Sequence, residues 1–264
     1  MIELSPLYSV ILLLAVLAGL PHGAFDLHIA KRLGLCDSPS QVALWLLKYL
    51  CLSAAMIAFW LLSPSLALSL FLLISALHFG RDNFAHQPLA ATCLGLVIIG
   101  LPLLFAPATV AAIFSQLLLS PAQAEVMVAV FSALCWSAMV ILLGVMLTGK
   151  QQQRGLIMLL LALLVTAWLA HPLVYFALYF SLSHSPRHLR QQWLQLSHAE
   201  RRPALLLVSL FTVLPVVAAV LVAPLLSGHW SERIITLVFI GLAALTMPHM
   251  MLLEQAYRRS RQAG

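Results

Sequence analysis

The chain has 264 residues, 62% of them hydrophobic and 8% charged, with 14 Lys and Arg against 8 Asp and Glu and a net charge of +6. A soluble domain carries about 25% charged side chains, so too few polar groups exist here to cover a water-facing globule. The solvent of this fold is lipid, and the basic residues are scattered singly and in pairs, without the aromatic-interleaved stripe that binds nucleic acid.

At roughly 20 apolar residues per crossing, this length predicts about seven to nine spans, short connections and a single integral-membrane domain over 1–264. Apolar stretches fall at 5–26, 43–63, 65–80, 89–107, 124–147, 155–170, 172–186, 204–226 and 233–253. Such long runs without alternation exclude a barrel. The expected fold class is therefore all-α, a polytopic membrane helix bundle of about eight to nine transmembrane helices. The chain opens MIELSPLYSV, with an acid and no basic flank, and its first run reads as a retained span and not a cleaved leader. Residues 155–186 are too long for one span and slightly short for two, with His171-Pro172 at their centre. Lys150 and Arg154 precede this stretch and Arg187, Arg190, Arg201 and Arg202 follow it; basic residues belong on the cytoplasmic side, so two crossings are expected. The resulting nine-span reading puts the N-terminus outside and the C-terminus inside the cell (inner) membrane. Arg233 is then the one basic residue of the 14 outside. Cys36, Cys51, Cys93 and Cys135 form no CxxC pair and predict neither disulfides nor a thiolate metal site.

Ten histidines beside eight carboxylates is the unusual feature. His22 ends the first span, His78 the third, His184 and His188 the seventh, and His249 the ninth. All are odd-numbered, so the five imidazoles approach the cytoplasmic boundary at one depth. Ionisable groups in a membrane are costly without a partner, and a shared metal ion is the simplest one. Asp26 follows His22 by four residues and Asp82 follows His78 by four, a spacing that lets a carboxylate hold the second ring nitrogen of a ligand histidine. His184 and His188 stand at i and i+4 and project to one helix face. Pro186 between them disfavours helix at Ser185 and removes the backbone bond to residue 182, so the pair falls at a kink or a helix start. An all-imidazole set suits iron, copper or zinc. Carboxylates are too few for a Glu-rich di-iron site. Phe176, Phe180 and His184 recur at i+4 with Tyr175 and Tyr179 adjacent, which reads either as an aromatic wall for a long apolar substrate or as ordinary packing. His171 reads as a helix-packing histidine.

The segments PHGAFD at 21–26, HFGRDN at 78–83, YFSLSHSPRH at 179–188 and MPHM at 247–250, in this order and in a chain of this size, resemble the Brp/Blh family of integral-membrane beta-carotene 15,15'-dioxygenases. The resemblance implies an iron-dependent (Fe2+) oxygenase that cleaves the central 15,15' double bond of beta-carotene with dioxygen, giving two all-trans-retinal. It places the metal ligands at His22, His78, His184 and His188. Asp26, Asp82 and His249 then stand behind the ligands, and Tyr175, Phe176, Tyr179 and Phe180 face the substrate. The expected partners are beta-carotene or a related carotenoid, dioxygen and the lipid bilayer, with retinal passing to a rhodopsin where one exists. Two further classes share the histidine pattern: a membrane lipid or isoprenoid oxidase or desaturase, and a non-enzymatic metal- or haem-binding membrane protein. Lys48 lies near the inner end of its span and no lysine sits deeper in one to form a retinal Schiff base, which argues against a photoreceptor.

Overall fold

The computed structural model describes residues 6–84, 87–148 and 154–263, with the side chains of His22 and of residues 260–263 outside that description. Lys150 and His86 also lie outside the described residues. In chain order the elements are α1 (Pro6–Gly19), a 3-10 turn (Leu20–Phe25), α2 (Asp26–Arg32), α3 (Pro39–Leu62), α4 (Pro64–Arg81), α5 (Pro88–Phe105), α6 (Pro107–Gln116) and α7 (Pro121–Thr148). There follow α8 (Arg154–Leu169), α9 (Pro172–Leu178), a π-helical segment (Tyr179–His184), α10 (Ser185–Leu194), α11 (His198–Val222) and α12 (Trp230–Ala263). The fold is all-helical, as lipid requires of a chain that must satisfy its own backbone. Prolines set its punctuation: α1, α3, α4, α5, α6, α7 and α9 each begin on one. At a first helical position the missing N–H would have had no intrahelical partner anyway.

Among the described residues, seven helical stretches are long and apolar enough to cross a bilayer: Pro6–Arg32, Pro39–Leu62, Pro64–Arg81, Pro88–Phe105, Pro121–Thr148, His198–Leu225 and Trp230–Arg259. Of the nine apolar runs in the sequence, two differ. The run at 155–170 becomes the 16-residue α8, and the run at 172–186 divides into α9, the π segment and the start of α10. Pro172 begins α9, and Pro186 is the second residue of α10. The spans Pro39–Leu62 and His198–Leu225 bury almost none of their apolar length. Leu47, Leu50 and Leu61 on one and Leu206, Val220 and Leu221 on the other point outward, as side chains solvated by acyl tails do.

The chain divides into two compact units, one of Met1–Leu12 and Ser63–Tyr179, the other of Leu13–Leu62 and Phe180–Gly264. In the first, α4 packs on α5 and α5 on α7. Gly80 lies against the Ala91 carbonyl and Gly95 against the Ala76 carbonyl, so closely that an added Cβ would stand 1.7 Å from each oxygen. Small residues of this kind let membrane helices approach to backbone contact. Pro102 inside α5 has no N–H for the Ile98 carbonyl four residues earlier, and the Tyr175 hydroxyl on α9 donates to that carbonyl at 2.6 Å. Tyr175→Phe should therefore leave a buried carbonyl without its donor and cost about 1–2 kcal/mol. Thermal unfolding in detergent checks this, with an unchanged midpoint as the contrary result.

In the second unit the 3-10 turn and α2 each enter a buried cluster. Ala24 and Phe25 pack with Leu196, Ala204 and Val208. Leu27, Ile29 and Ala30 pack with Cys36 and Leu252. The helix stops at Gly34, whose φ of 63° is the left-handed conformation that ends a helix. Bonds from Gly34 N to Lys31 O and from Leu35 N to Ala30 O close the last turn in the Schellman pattern.

Candidate metal centre

The second unit carries two of its histidine motifs on irregular helix. The PHGAF segment forms the 3-10 turn between α1 and α2, and YFSLSH forms the π segment that leads into α10. Tightened and widened turns inside helices are frequent at functional sites, because each re-aims the side chains that follow. The π segment ends at His184 and α10 follows at once with Ser185 and Pro186, so His184 closes one geometry and His188 lies in the next. Ser185, where Pro186 was expected to disfavour helix, is itself helical, and the backbone runs on from the π segment into α10.

Two contacts hold the irregular segments together. The Ser185 hydroxyl donates to the Gly19 carbonyl at 3.1 Å, at the junction of α1 with the 3-10 turn. The Phe180 ring lies over Gly19, where a Cβ would come within 2.0 Å of Cε1. Glycine is needed here for the close approach of an aromatic ring, which in turn stacks with His184 at 6.0 Å between centroids.

Three imidazoles follow in sequence of contact. His184 and His188 have ring centroids 6.5 Å apart, nearly parallel, and His188 meets His249 edge-on at 5.5 Å. All three side chains are buried. His188 belongs to α10, outside the seven spans; burial, with the His249 and His184 rings beside it, pulls its pKa down to about 3. It is therefore neutral at physiological pH, the form in which imidazole binds a metal. His249 lies on α12 directly after Pro248, and its Nδ1 is 2.7 Å from Asp26 Oδ1. The other carboxylate oxygen of Asp26 accepts the Tyr49 hydroxyl at 3.0 Å.

The fit to a metal can be tested on donor chemistry and spacing. Rings of His78, His184, His188 and His249 are engaged with their surroundings, while their Nε2 atoms are buried and make no hydrogen bond. With a metal–nitrogen bond of about 2.1 Å, two imidazoles on one ion have centroids about 4.6 Å apart at a right angle, about 5.3 Å at the tetrahedral angle and at most about 6.5 Å. Both observed separations fall in that range. Among the described residues no group of three or more His, Cys, Asp and Glu closes round one point. The His22 side chain lies outside those residues. Neutral nitrogen donors of this kind suit a divalent iron, copper or zinc ion.

The remaining predicted residues are placed as follows. His78 is buried near the C-terminal end of α4 in the first unit, beside Phe79 at 5.9 Å. Asp82 is the C-cap of that helix and half-buried. Tyr175, Phe176 and Tyr179 also belong to the first unit; Tyr175 and Tyr179 are buried, Phe176 is half-buried, and Tyr179 meets Phe79 edge-on at 5.1 Å. Phe180 belongs to the second. His171 accepts a hydrogen bond from Leu173 N, capping α9, and stacks on Tyr8 at 3.9 Å. That is the packing role its sequence context suggested.

Sequence reasoning missed Tyr49, Ser185 and Gly19. Tyr49 reaches Asp26 from α3, a contact no local spacing announces. Ser185 stood inside a quoted motif and Gly19 two residues before another, and their signal was nearness to His184 and to Pro21-His22.

A family model described as Beta-carotene 15,15'-dioxygenase matches residues 13–256. A protein named Beta-carotene 15,15'-dioxygenase from the uncultured marine bacterium 66A03 is 33% identical, over 94% of this chain and 93% of its own length. No solved structure matches the chain.

Proposed function

Because the chain belongs to the beta-carotene 15,15'-dioxygenase family, we propose that it is an iron-dependent enzyme that splits the central double bond of beta-carotene with dioxygen and releases two all-trans-retinal. The observation that carries the iron reading is the buried row His184, His188 and His249 at 6.5 and 5.5 Å, inside the matched region and within a protein whose solvent is lipid. The ligands are His22, His78, His184 and His188, each through a neutral imidazole. Bound iron would supply the dioxygen activation that closed-shell side chains cannot.

The protein's own part is placement and exclusion of water. Ser185 and Phe180 anchor the π segment to Gly19 and so set the direction of His184. The rings of Tyr175, Phe176, Tyr179 and Phe180 give a polyene an apolar wall that fixes how far it enters, and therefore which double bond is cut. The Tyr175 hydroxyl is already committed to the Ile98 carbonyl, so its ring alone serves that wall. The reaction balances without an external reductant: the central carbon–carbon double bond breaks, and each carbon takes one of the two oxygen atoms. The chain lies in the cell membrane with its N-terminus outside, the side that leaves nearly all of its Lys and Arg on the cytoplasmic face.

Expression in cells that accumulate beta-carotene tests the reading. Two retinal per carotene consumed, formed in air and absent under argon, is the expected result. Undiminished carotene beside folded, iron-loaded protein would overturn the substrate assignment.

A further inference from the structure

Asp26 is the first residue of α2 and is 3% exposed, and His249, 223 residues later, is 4% exposed. Burying a carboxylate in a membrane protein is costly, and this one faces an imidazole at 2.7 Å and a phenol at 3.0 Å. A carboxylate only accepts, so His249 donates from Nδ1 and its lone pair stands on Nε2. A carboxylate holding one ring nitrogen while the other is presented is the arrangement that orients metal-ligating histidines. His249 presents its ring edge-on to His188 at 5.5 Å, closer to the spacing of two ligands at the tetrahedral angle, about 5.3 Å, than the 6.5 Å of His184 and His188.

We propose that His249 is a further ligand of the iron, beyond the four histidines assigned from motifs, and that Asp26 and Tyr49 are the positioning residues that aim it. This rests on the iron reading above. The Tyr49 hydroxyl occupies the second oxygen of Asp26, so the carboxylate cannot rotate without losing a bond, and the His249 ring is held with it. A histidine used only to pack against α2 would affect stability and leave the affinity of the folded protein for iron unchanged.

The experiment uses the full chain in detergent, loaded anaerobically with ferrous iron, as wild type, His249→Ala, His249→Gly, Asp26→Asn and Tyr49→Phe. Iron affinity is measured against a chelator series, and the electron paramagnetic resonance spectrum of the ferrous nitrosyl adduct is recorded. Asp26→Asn should weaken iron binding about 10–100-fold, with His249→Ala at least as severe and Tyr49→Phe milder. The nitrosyl spectrum should change in His249→Gly and return towards wild type when imidazole is added. Folded His249→Ala with wild-type affinity and spectrum would overturn the proposal. Should that variant not fold, wild-type affinity in both Asp26→Asn and Tyr49→Phe would overturn it equally. A wild type that takes up no iron would overturn the iron reading and the proposal together, whereas a loaded wild type with equally loaded variants overturns the proposal alone.

Discussion

His188→Ala protein, purified and loaded beside wild type, is expected to retain little iron and to form no measurable retinal, and His184→Ala to behave the same way. The reason lies in how the two imidazoles are built in. Both are buried, and His188 is neutral by virtue of that burial and of its two histidine neighbours. Loss of groups that merely orient a ligand costs metal affinity about 10–100-fold, so loss of a ligand should exceed about 100-fold. His171→Ala is the matched control, because that imidazole caps α9 and stacks on Tyr8. It should lower the melting temperature while iron per chain and retinal per bound iron stay near wild type. Iron counting and chromatography on the same preparations read both quantities. A His188→Ala enzyme with full iron and full turnover would remove His188 from the centre.

What the sequence made legible follows from local physics. Proline can begin a helix but not continue one, so the starts at Pro64, Pro88, Pro121 and Pro172 are written in the chain. The same rule placed an irregularity near Pro186, and the π segment ends at His184, two residues before it. The division of residues 155–186 was harder, since hydropathy reports solvent and not helix length. Counting α8 and the segment after it as two crossings, or as none, leaves the two termini on opposite sides either way, so the charge argument for orientation survives the change in count.

Long-range pairing was beyond reach. The spacing of His22 and Asp26 suggested a local pair, and the His22 side chain lies outside the described residues; the two Asp26 oxygens also have partners that arrive from α3 and α12. Only the fold brings Tyr49 and His249 to one carboxylate. Tyr175 shows an intermediate case: its hydroxyl reads as one edge of an aromatic wall until Pro102 is noticed, and then a carbonyl four residues earlier demands a donor. The proline announces the vacancy, but the residue that fills it is set by the packing of α9 on α5.

Gly95→Val and Gly80→Ala should each prevent α4 and α5 from packing, with the largest loss of folded protein of any single change outside the histidines. Overpacking a side chain that can turn aside costs about 1–3 kcal/mol. Here the obstacle is backbone: a Cβ at Gly95 would stand 1.7 Å from the Ala76 carbonyl oxygen and 2.4 Å from its carbon, and Gly80 repeats this against Ala91. A carbonyl inside a helix cannot rotate away without giving up its own hydrogen bond, so the helices must separate along their length. His78 lies two residues before Gly80 on the same helix, so a shift of α4 also moves an imidazole proposed to hold iron. Gly144→Ala is the comparison, since nothing stands within 4 Å of its added methyl, and alanine is the better helix former. That variant should purify in wild-type yield with an equal or higher melting temperature. Size-exclusion profiles and thermal unfolding in one detergent decide the matter, and a Gly95→Val protein that melts with wild type would show that α4 and α5 do not depend on this contact.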